Sequence, residues 1–150
     1  MFIIYIGYYV FHISLSILLI KIKKYKSRGP NKISRMPWTI RVKRKFNAAH
    51  FLTDYHGSPE PLHWHTWTVE VYLKADKLDK GGMGIDFVEI DKYLQEILPD
   101  YKLLNEVFDF SPSAENVAKW LYDKLKEKYP FVVKVVVWET ENCGVEYYES

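Results

Sequence analysis

His63-Trp64-His65-Thr66-Trp67-Thr68-Val69-Glu70-Val71-Tyr72-Leu73-Lys74 is the stretch on which the reading of this chain turns. Trp67, Val69, Val71 and Leu73 alternate with Thr66, Thr68, Glu70 and Tyr72, the period of a half-buried β-strand. Side chains two residues apart project from one face at a spacing of roughly 7 Å. His63 and His65 therefore share the face of Trp67. Upstream, Trp38 to Phe46 (WTIRVKRKF) alternates in the same way, Ile40 and Val42 against Arg41, Lys43 and Lys45, and His50 follows in FNAAHFL. If the two strands pair as a hairpin, the end of the first lies beside the start of the second and His50 completes a triangle of imidazoles. A single histidine on a strand is far more often a surface or core residue than a ligand; the spacing of this set is what sets it apart. Three neutral imidazoles suit Zn²⁺, which in catalytic sites takes three protein ligands and keeps a fourth position open.

Further along, Lys80-Gly81-Gly82 marks a turn. After Asp86, the residues Phe87, Ile90, Leu94 and Ile97 recur at helical intervals, and Pro99 ends that helix. Asp100 to Phe110 reads as a loop. Ser111-Pro112 offers an N-cap with proline at the first helical position, and Val117, Trp120, Leu121 and Leu125 form the apolar stripe of a second helix ending near Tyr129-Pro130. Phe131 to Glu139 is a β-branched run, Asn142 to Gly144 a tight connection, and Val145 to Tyr148 the last strand. The order ββααββ predicts an α+β fold, a four-stranded antiparallel sheet with two helices on one face. Its two long edges invite pairing with another copy of the chain.

The 150 residues suit one domain with a genuine core, and 48% of them are hydrophobic and 17% aromatic. The net charge of +2 averages two unlike pieces. Residues 1–35 hold seven Lys or Arg and no acid, whereas residues 36–150 hold 14 basic and 19 acidic side chains and so carry −5. Nucleic-acid binding needs a basic face, and the folded part has no basic run longer than Lys43-Arg44-Lys45; nucleic acid is set aside as a partner. Cys143 is the only cysteine. No intrachain disulfide can form, and a reducing, cytoplasmic setting is expected.

Residues 2–20 are uncharged and almost wholly apolar, close to the length that crosses a bilayer. Lys21, Lys23, Lys24, Lys26 and Arg28 follow, so a membrane anchor with a cytoplasmic domain is one reading. A secretory signal fits poorly, because there is no basic start and no small-residue cleavage site. The preferred expectation is a start codon assigned too early: Ile, Tyr, Lys and Phe make up 19 of residues 1–35, the bias of translated AT-rich DNA, and Met36 opens a natural domain start. A soluble appended helix is the third reading. The domain itself, residues 36–150, does not depend on the choice.

Several short motifs in this domain resemble the 6-pyruvoyl-tetrahydropterin synthase and 6-carboxytetrahydropterin synthase family, the tunnelling-fold pterin enzymes. They are Phe46-Asn47-Ala48-Ala49-His50; His63-Trp64-His65, where the family usually reads His-Gly-His; Gly84-Ile85-Asp86-Phe87; Leu104-Asn105; Ser113-Ala114-Glu115-Asn116; and Glu139-Thr140. Each is weak alone, but six in the family's order over about residues 37–149 are specific. The resemblance implies that His50, His63 and His65 bind Zn²⁺ and that Glu139 anchors the pterin ring through its 2-amino group and N3–H. One carboxylate can accept two parallel hydrogen bonds from such an amidine-like edge. It also implies a homo-hexamer of two trimers with active sites between subunits.

Three departures shape the expected reaction. Where members that make pyruvoyl or carboxy products carry a catalytic cysteine, this chain has Pro59; where they carry an Asp-His dyad it has Asp100-Tyr101, keeping only the acid; and Trp64 replaces a glycine, so its indole must turn to the opposite face or fill space. Glu60, three residues before His63, resembles a branch that cleaves the side chain of dihydroneopterin or its triphosphate to 6-hydroxymethyl-7,8-dihydropterin. The expected activity is thus a zinc-dependent lyase with Glu60 as base and Asp100 retained in the catalytic set, acting on 7,8-dihydroneopterin triphosphate or a close relative. The alternatives are 6-carboxytetrahydropterin or 6-pyruvoyltetrahydropterin synthesis, and a zinc- and pterin-binding protein without catalysis.

Overall fold

The computed structural model describes residues 4–6, 9–11 and 38–149. The chain divides into two units, residues 1–35 and 36–150. In the first, strand β1 (Ile4–Ile6) pairs antiparallel with β2 (Tyr9–Phe11). The remainder of the apolar 2–20 stretch lies outside the described residues. No helix among the described residues is long and apolar enough to cross a membrane.

The second unit is built on a long hairpin. Strand β3 (Trp38–His50) pairs with β4 (His63–Ala75) along the full length of both, from Trp38 opposite Ala75 to His50 opposite His63. Alternation dictates which side is dry: Phe46, Trp67, Val69, Val71 and Leu73 are buried, and Lys43, Lys45 and Thr66 face the other way or stay exposed. Burying a side chain of the size of Phe46 contributes roughly 1.5–3 kcal/mol, so a one-residue slip of register would invert the whole set.

Helix α1 (Phe87–Ile97) begins where Asp86 accepts the Val88 N–H at 2.9 Å. Gly84 precedes it at a close approach, since a Cβ there would meet the Ala75 Cβ at 2.7 Å. Strand β5 (Lys102–Leu103) and the single turn α2 (Leu104–Val107) follow, then α3 (Ala114–Lys128), β6 (Val132–Trp138) and β7 (Gly144–Tyr147). Ile90 and Leu94 of α1, Val117, Leu121 and Leu125 of α3, and Val69 and Val71 of β4 belong to one buried cluster. Both long helices therefore cover the same face of the sheet.

The expected α+β layer is present, with differences of detail. The sheet has five strands in the order β5-β3-β4-β6-β7, not four, because the predicted loop 100–110 contains a two-residue strand parallel to β3. Its cause is a pair of contacts to a residue distant in sequence: Tyr101 donates its N–H to the Asn47 carbonyl at 2.6 Å, and Asp100 accepts the Asn47 N–H at 2.7 Å. Those bonds continue the β3 edge. The second helix is capped by Ser113, which accepts the Asn116 N–H at 3.3 Å, rather than by Ser111 with Pro112 inside the helix. Ser111 is occupied elsewhere, accepting the Thr53 N–H at 3.1 Å, and Pro112 is left outside the helix with its carbonyl turned to the His50 ring.

Candidate metal and pterin site

His50 and His63 are register partners at the end of the hairpin, and His65 opposes Ala48. Ring centroids lie 4.4 Å apart for His50 and His63, 5.4 Å for His50 and His65, and 4.8 Å for His63 and His65. Glu139 joins them from the end of β6. Thr68 pairs with Trp138, so the same register sets residue 139 beside Trp67, on the face of the histidines. Its Oε1 lies 2.8 Å from His50 Nε2, 3.2 Å from His65 Nε2 and 3.7 Å from His63 Nε2. Each of the four residues offers one ligand atom, and these atoms lie within 4.8 Å of one another.

The protons of two rings are fixed by the backbone. His50 Nδ1 stands 2.9 Å from the Pro112 carbonyl and His63 Nδ1 stands 2.8 Å from the Pro61 carbonyl. A carbonyl can only accept, so each Nδ1 carries hydrogen and each Nε2 turns a lone pair inward. His50, 1% exposed, packs edge-on against Trp67 with centroids 4.7 Å apart. Burial pushes its imidazole below the ordinary value; the Pro112 carbonyl and the Glu139 carboxylate oppose that shift, and His63 and His65 add to it. The ring is held neutral, the form a metal ligand needs.

His50 Nε2 is buried and makes no hydrogen bond, for the short approach of Glu139 lacks the geometry of one. Lone pairs and a carboxylate that converge without a donor form a pocket that a cation could occupy. The donor set of three imidazoles and one carboxylate fits a divalent ion of the zinc type. These side chains therefore pass the test that a metal site sets.

A cleft of about 340 Å³ opens beside the cluster, lined by His50, Glu60, Glu115, Glu139 and Cys143 among others. Glu60 is fastened at its mouth: its N–H donates to the Leu52 carbonyl at 2.9 Å, and its Oε2 accepts the Leu52 N–H at 3.2 Å and lies 3.9 Å from His63 Nδ1. A cavity of equal volume on the helix-free face, lined by Lys43, Lys45, Glu70 and Glu141 among others, holds none of the three imidazoles.

His50, His63, His65 and Glu139 come together, and Glu60 adjoins them. Asp100 instead has its Oδ1 on the Asn47 backbone and side-chain amides, at the β5 edge. Trp64 turns to the face opposite the histidines, half exposed, 6.0 Å from the Tyr101 ring. Two departures from the family's motifs thus adjoin, and Tyr101 holds a left-handed φ of 56° that costs a non-glycine residue roughly 1–2 kcal/mol. Two features escaped the sequence: the contact of Glu139 with all three imidazoles, which only the β4–β6 register reveals, and the Pro112 carbonyl, which the Ser113 cap releases. Cys143, far from the histidines in sequence, lines their cleft because the β6–β7 turn folds over it.

Together the sheet, its two helices and the imidazole–carboxylate cluster describe an α+β enzyme of the tunnelling-fold type with a site competent for a metal ion. Residues 39–150 match the family model described as 6-pyruvoyl tetrahydropterin synthase. The chain belongs to that family of pterin enzymes. Among its relatives, the dihydroneopterin monophosphate aldolase of Pyrococcus furiosus is 30% identical over 71% of this chain and 94% of its own length. The 6-carboxy-5,6,7,8-tetrahydropterin synthase of Synechocystis sp. is 31% identical over 74% of this chain and 93% of its own. In fold, the chain resembles the 6-pyruvoyl tetrahydropterin synthase of Caenorhabditis elegans, with a TM-score of 0.64 at 24% identity over 75% of this chain and 96% of that one. A Plasmodium vivax 6-pyruvoyltetrahydropterin synthase in which a catalytic glutamate is replaced by alanine shares the fold at a TM-score of 0.59, with 16% identity over 75% of this chain and 97% of that one.

Proposed function

We propose that this chain is a zinc-dependent pterin lyase that cleaves the side chain of 7,8-dihydroneopterin triphosphate, or of a close relative, to 6-hydroxymethyl-7,8-dihydropterin. The observation that carries the reading is the placement of Glu60 in one cleft with His50 and Glu139, while Pro59 stands where the cysteine of other members is expected. The Pyrococcus relative, named an aldolase, supports it, and so does the catalytic glutamate of the Plasmodium protein.

His50, His63 and His65 would hold Zn²⁺, which when bound makes the coordinated side-chain hydroxyls of a substrate more acidic. Glu139 accepts two parallel hydrogen bonds from the 2-amino group and N3–H of the pterin and so sets its orientation. Glu60 takes the proton of the C2′ hydroxyl as the C1′–C2′ bond breaks. The bonding pair moves through C1′ into the C6=N5 unit of the dihydropterin, C2′ leaves as an aldehyde, and the proton on Glu60 returns to C1′. Atoms and electrons balance without an oxidant. Asp100 serves this site in our reading by fixing the β3 edge at Asn47 from outside the cleft.

Edge strands β5 and β7 pair with no further strand among the described residues, and a homo-hexamer joined through such edges is the assembly we propose. The Synechocystis relative favours a second reading, 6-carboxytetrahydropterin synthesis. Mass spectrometry after incubation of the zinc-loaded protein with dihydroneopterin triphosphate separates the two. Formation of 6-hydroxymethyl-7,8-dihydropterin with a two-carbon aldehyde supports the lyase; a 6-carboxy product, or an intact side chain on a zinc-loaded protein, overturns it.

A further inference from the structure

His50 is the ligand most deeply set, and the segment after it is held from outside the hairpin. Where β5 ends, pairing with β3 ceases at Ala49 opposite Leu103. The Asn105 side chain then takes over. Its Nδ2 donates to the Phe51 carbonyl at 2.8 Å and its Oδ1 accepts the Phe51 N–H at 3.0 Å. One amide group thus copies both bonds of a strand ladder, and it does so on the residue next to a ligand. Because the Phe51 N–H can only donate and its carbonyl can only accept, the orientation of the Asn105 amide follows from the network.

The same segment returns to His50 five residues beyond α2. Ser111 Oγ accepts the Thr53 N–H at 3.1 Å, and the Pro112 carbonyl meets His50 Nδ1 at 2.9 Å. Between Asn105 and Ser111, Phe108 stacks on Phe110 at 4.7 Å and packs on Trp120 at 4.8 Å, which stiffens the span. Asn116 Nδ2, donating to the Ser111 carbonyl at 2.9 Å, ties its far end to α3. Residues 105–112 therefore form a brace with one foot on Phe51, one on Thr53 and one on the His50 ring.

We propose that Asn105 is a positioning residue for the metal centre: its two bonds to Phe51 seat the brace so that the Pro112 carbonyl holds His50 with Nε2 facing His63, His65 and Glu139. The inference rests on the metal reading given above. A partner that orients a ligating imidazole from outside the coordination sphere typically accounts for 10- to 100-fold in metal affinity, by fixing tautomer and ring direction. Asn105 reaches the imidazole through Pro112 and touches neither the cleft nor a substrate.

The test compares the wild type with Asn105→Ala and Asn105→Asp, each prepared metal-free and titrated with Zn²⁺ against a chromophoric chelator, then with Co²⁺ to record its visible ligand-field bands. Asn105→Ala is expected to weaken Zn²⁺ binding about 10- to 100-fold and to shift the Co²⁺ bands. Asn105→Asp, which still accepts from the Phe51 N–H but cannot donate to its carbonyl, falls between. Zinc affinity and Co²⁺ bands equal to wild type, with only a lower melting temperature, would show a purely structural role and overturn the proposal. Should Asn105→Ala fail to fold, Ser111→Ala removes only the Thr53 foot. A loss of zinc affinity in that variant supports the brace, and unchanged affinity overturns it. A wild type that binds neither ion sinks the metal reading itself, an outcome distinct from variants that bind as the wild type does.

Discussion

Glu139 Oε1 lies 2.8 Å from His50 Nε2 and yet forms no hydrogen bond with it. Positive charge nearby would stabilise an acceptor facing a lone pair at that distance, and a carboxylate so placed could serve a metal ion, a substrate, or both.

Glu139→Gln separates these roles, because it keeps the shape and removes the charge. If Glu139 anchors the pterin, zinc affinity stays within a few-fold of wild type while KM rises roughly 10- to 100-fold, the scale of lost charge-assisted hydrogen bonds. Calorimetric titration with zinc and steady-state kinetics measure the two quantities. A parallel fall in zinc affinity would make Glu139 a metal ligand first.

Replacing Glu60 by glutamine removes the base and preserves the volume. The expected result is a loss of about 10²- to 10⁴-fold in kcat with zinc content unchanged by metal analysis. Full activity in Glu60→Gln would exclude the glutamate as the group that takes the hydroxyl proton.

Acidification of the metal-free protein gives two separable windows. The His50 imidazole is held below its ordinary value of 6.5 first by burial, so just below that pH the unfolded chain binds a proton that the folded chain refuses. Stability contributed by neutral His50 is complete above about pH 6.5 and drains away as pH falls through the lower folded value. Burial pushes the Glu70 carboxyl up, but Tyr72, Lys43 and Arg41 more than offset it, so its net shift is downward from 4.5. Its contribution is present above about pH 4.5 and is lost as pH falls from there through the lower folded value. Thermal melts of apo protein between pH 8 and 3 are expected to show the first loss just under the histidine range; a flat profile down to pH 5 contradicts the assignment.

Gly144 sits where the β6–β7 turn crosses the Trp138 ring. A Cβ there would meet ring carbons at 2.7 and 2.8 Å and the Val137 carbonyl at 2.9 Å. Gly144→Ala is expected to destabilise the fold by about 1–3 kcal/mol, read from the midpoint of denaturant unfolding. A midpoint equal to wild type would mean that the indole moves freely aside.

Much of this site was legible in the chain because it rests on local periodicity. Alternation in Trp67, Val69, Val71 and Leu73 fixes the face of His63 and His65, and a hairpin needs no distant partner to carry His50 to them. The place of Glu139 was not legible in that way, since it depends on which residue of β6 pairs with Thr68, a non-local choice. The helix is capped two residues beyond the expected position for a related reason: Ser111-Pro112 and Ser113 both satisfy local capping rules, and the decision falls to Thr53 and His50, which claim Ser111 and Pro112. Likewise the strand at Lys102–Leu103 carries no alternation of its own. It exists because Asp100 and Tyr101 bind the backbone of Asn47.

The ligand set has unequal origins in the chain. Three imidazoles come from one hairpin, whereas the carboxylate that faces them arrives only when β6 docks beside β4. An isolated two-stranded hairpin is marginal in water. On the metal reading proposed above, ion capture would be a property of the finished sheet, and the fraction of chains that retain zinc through dialysis would gauge how many have completed their C-terminal strands.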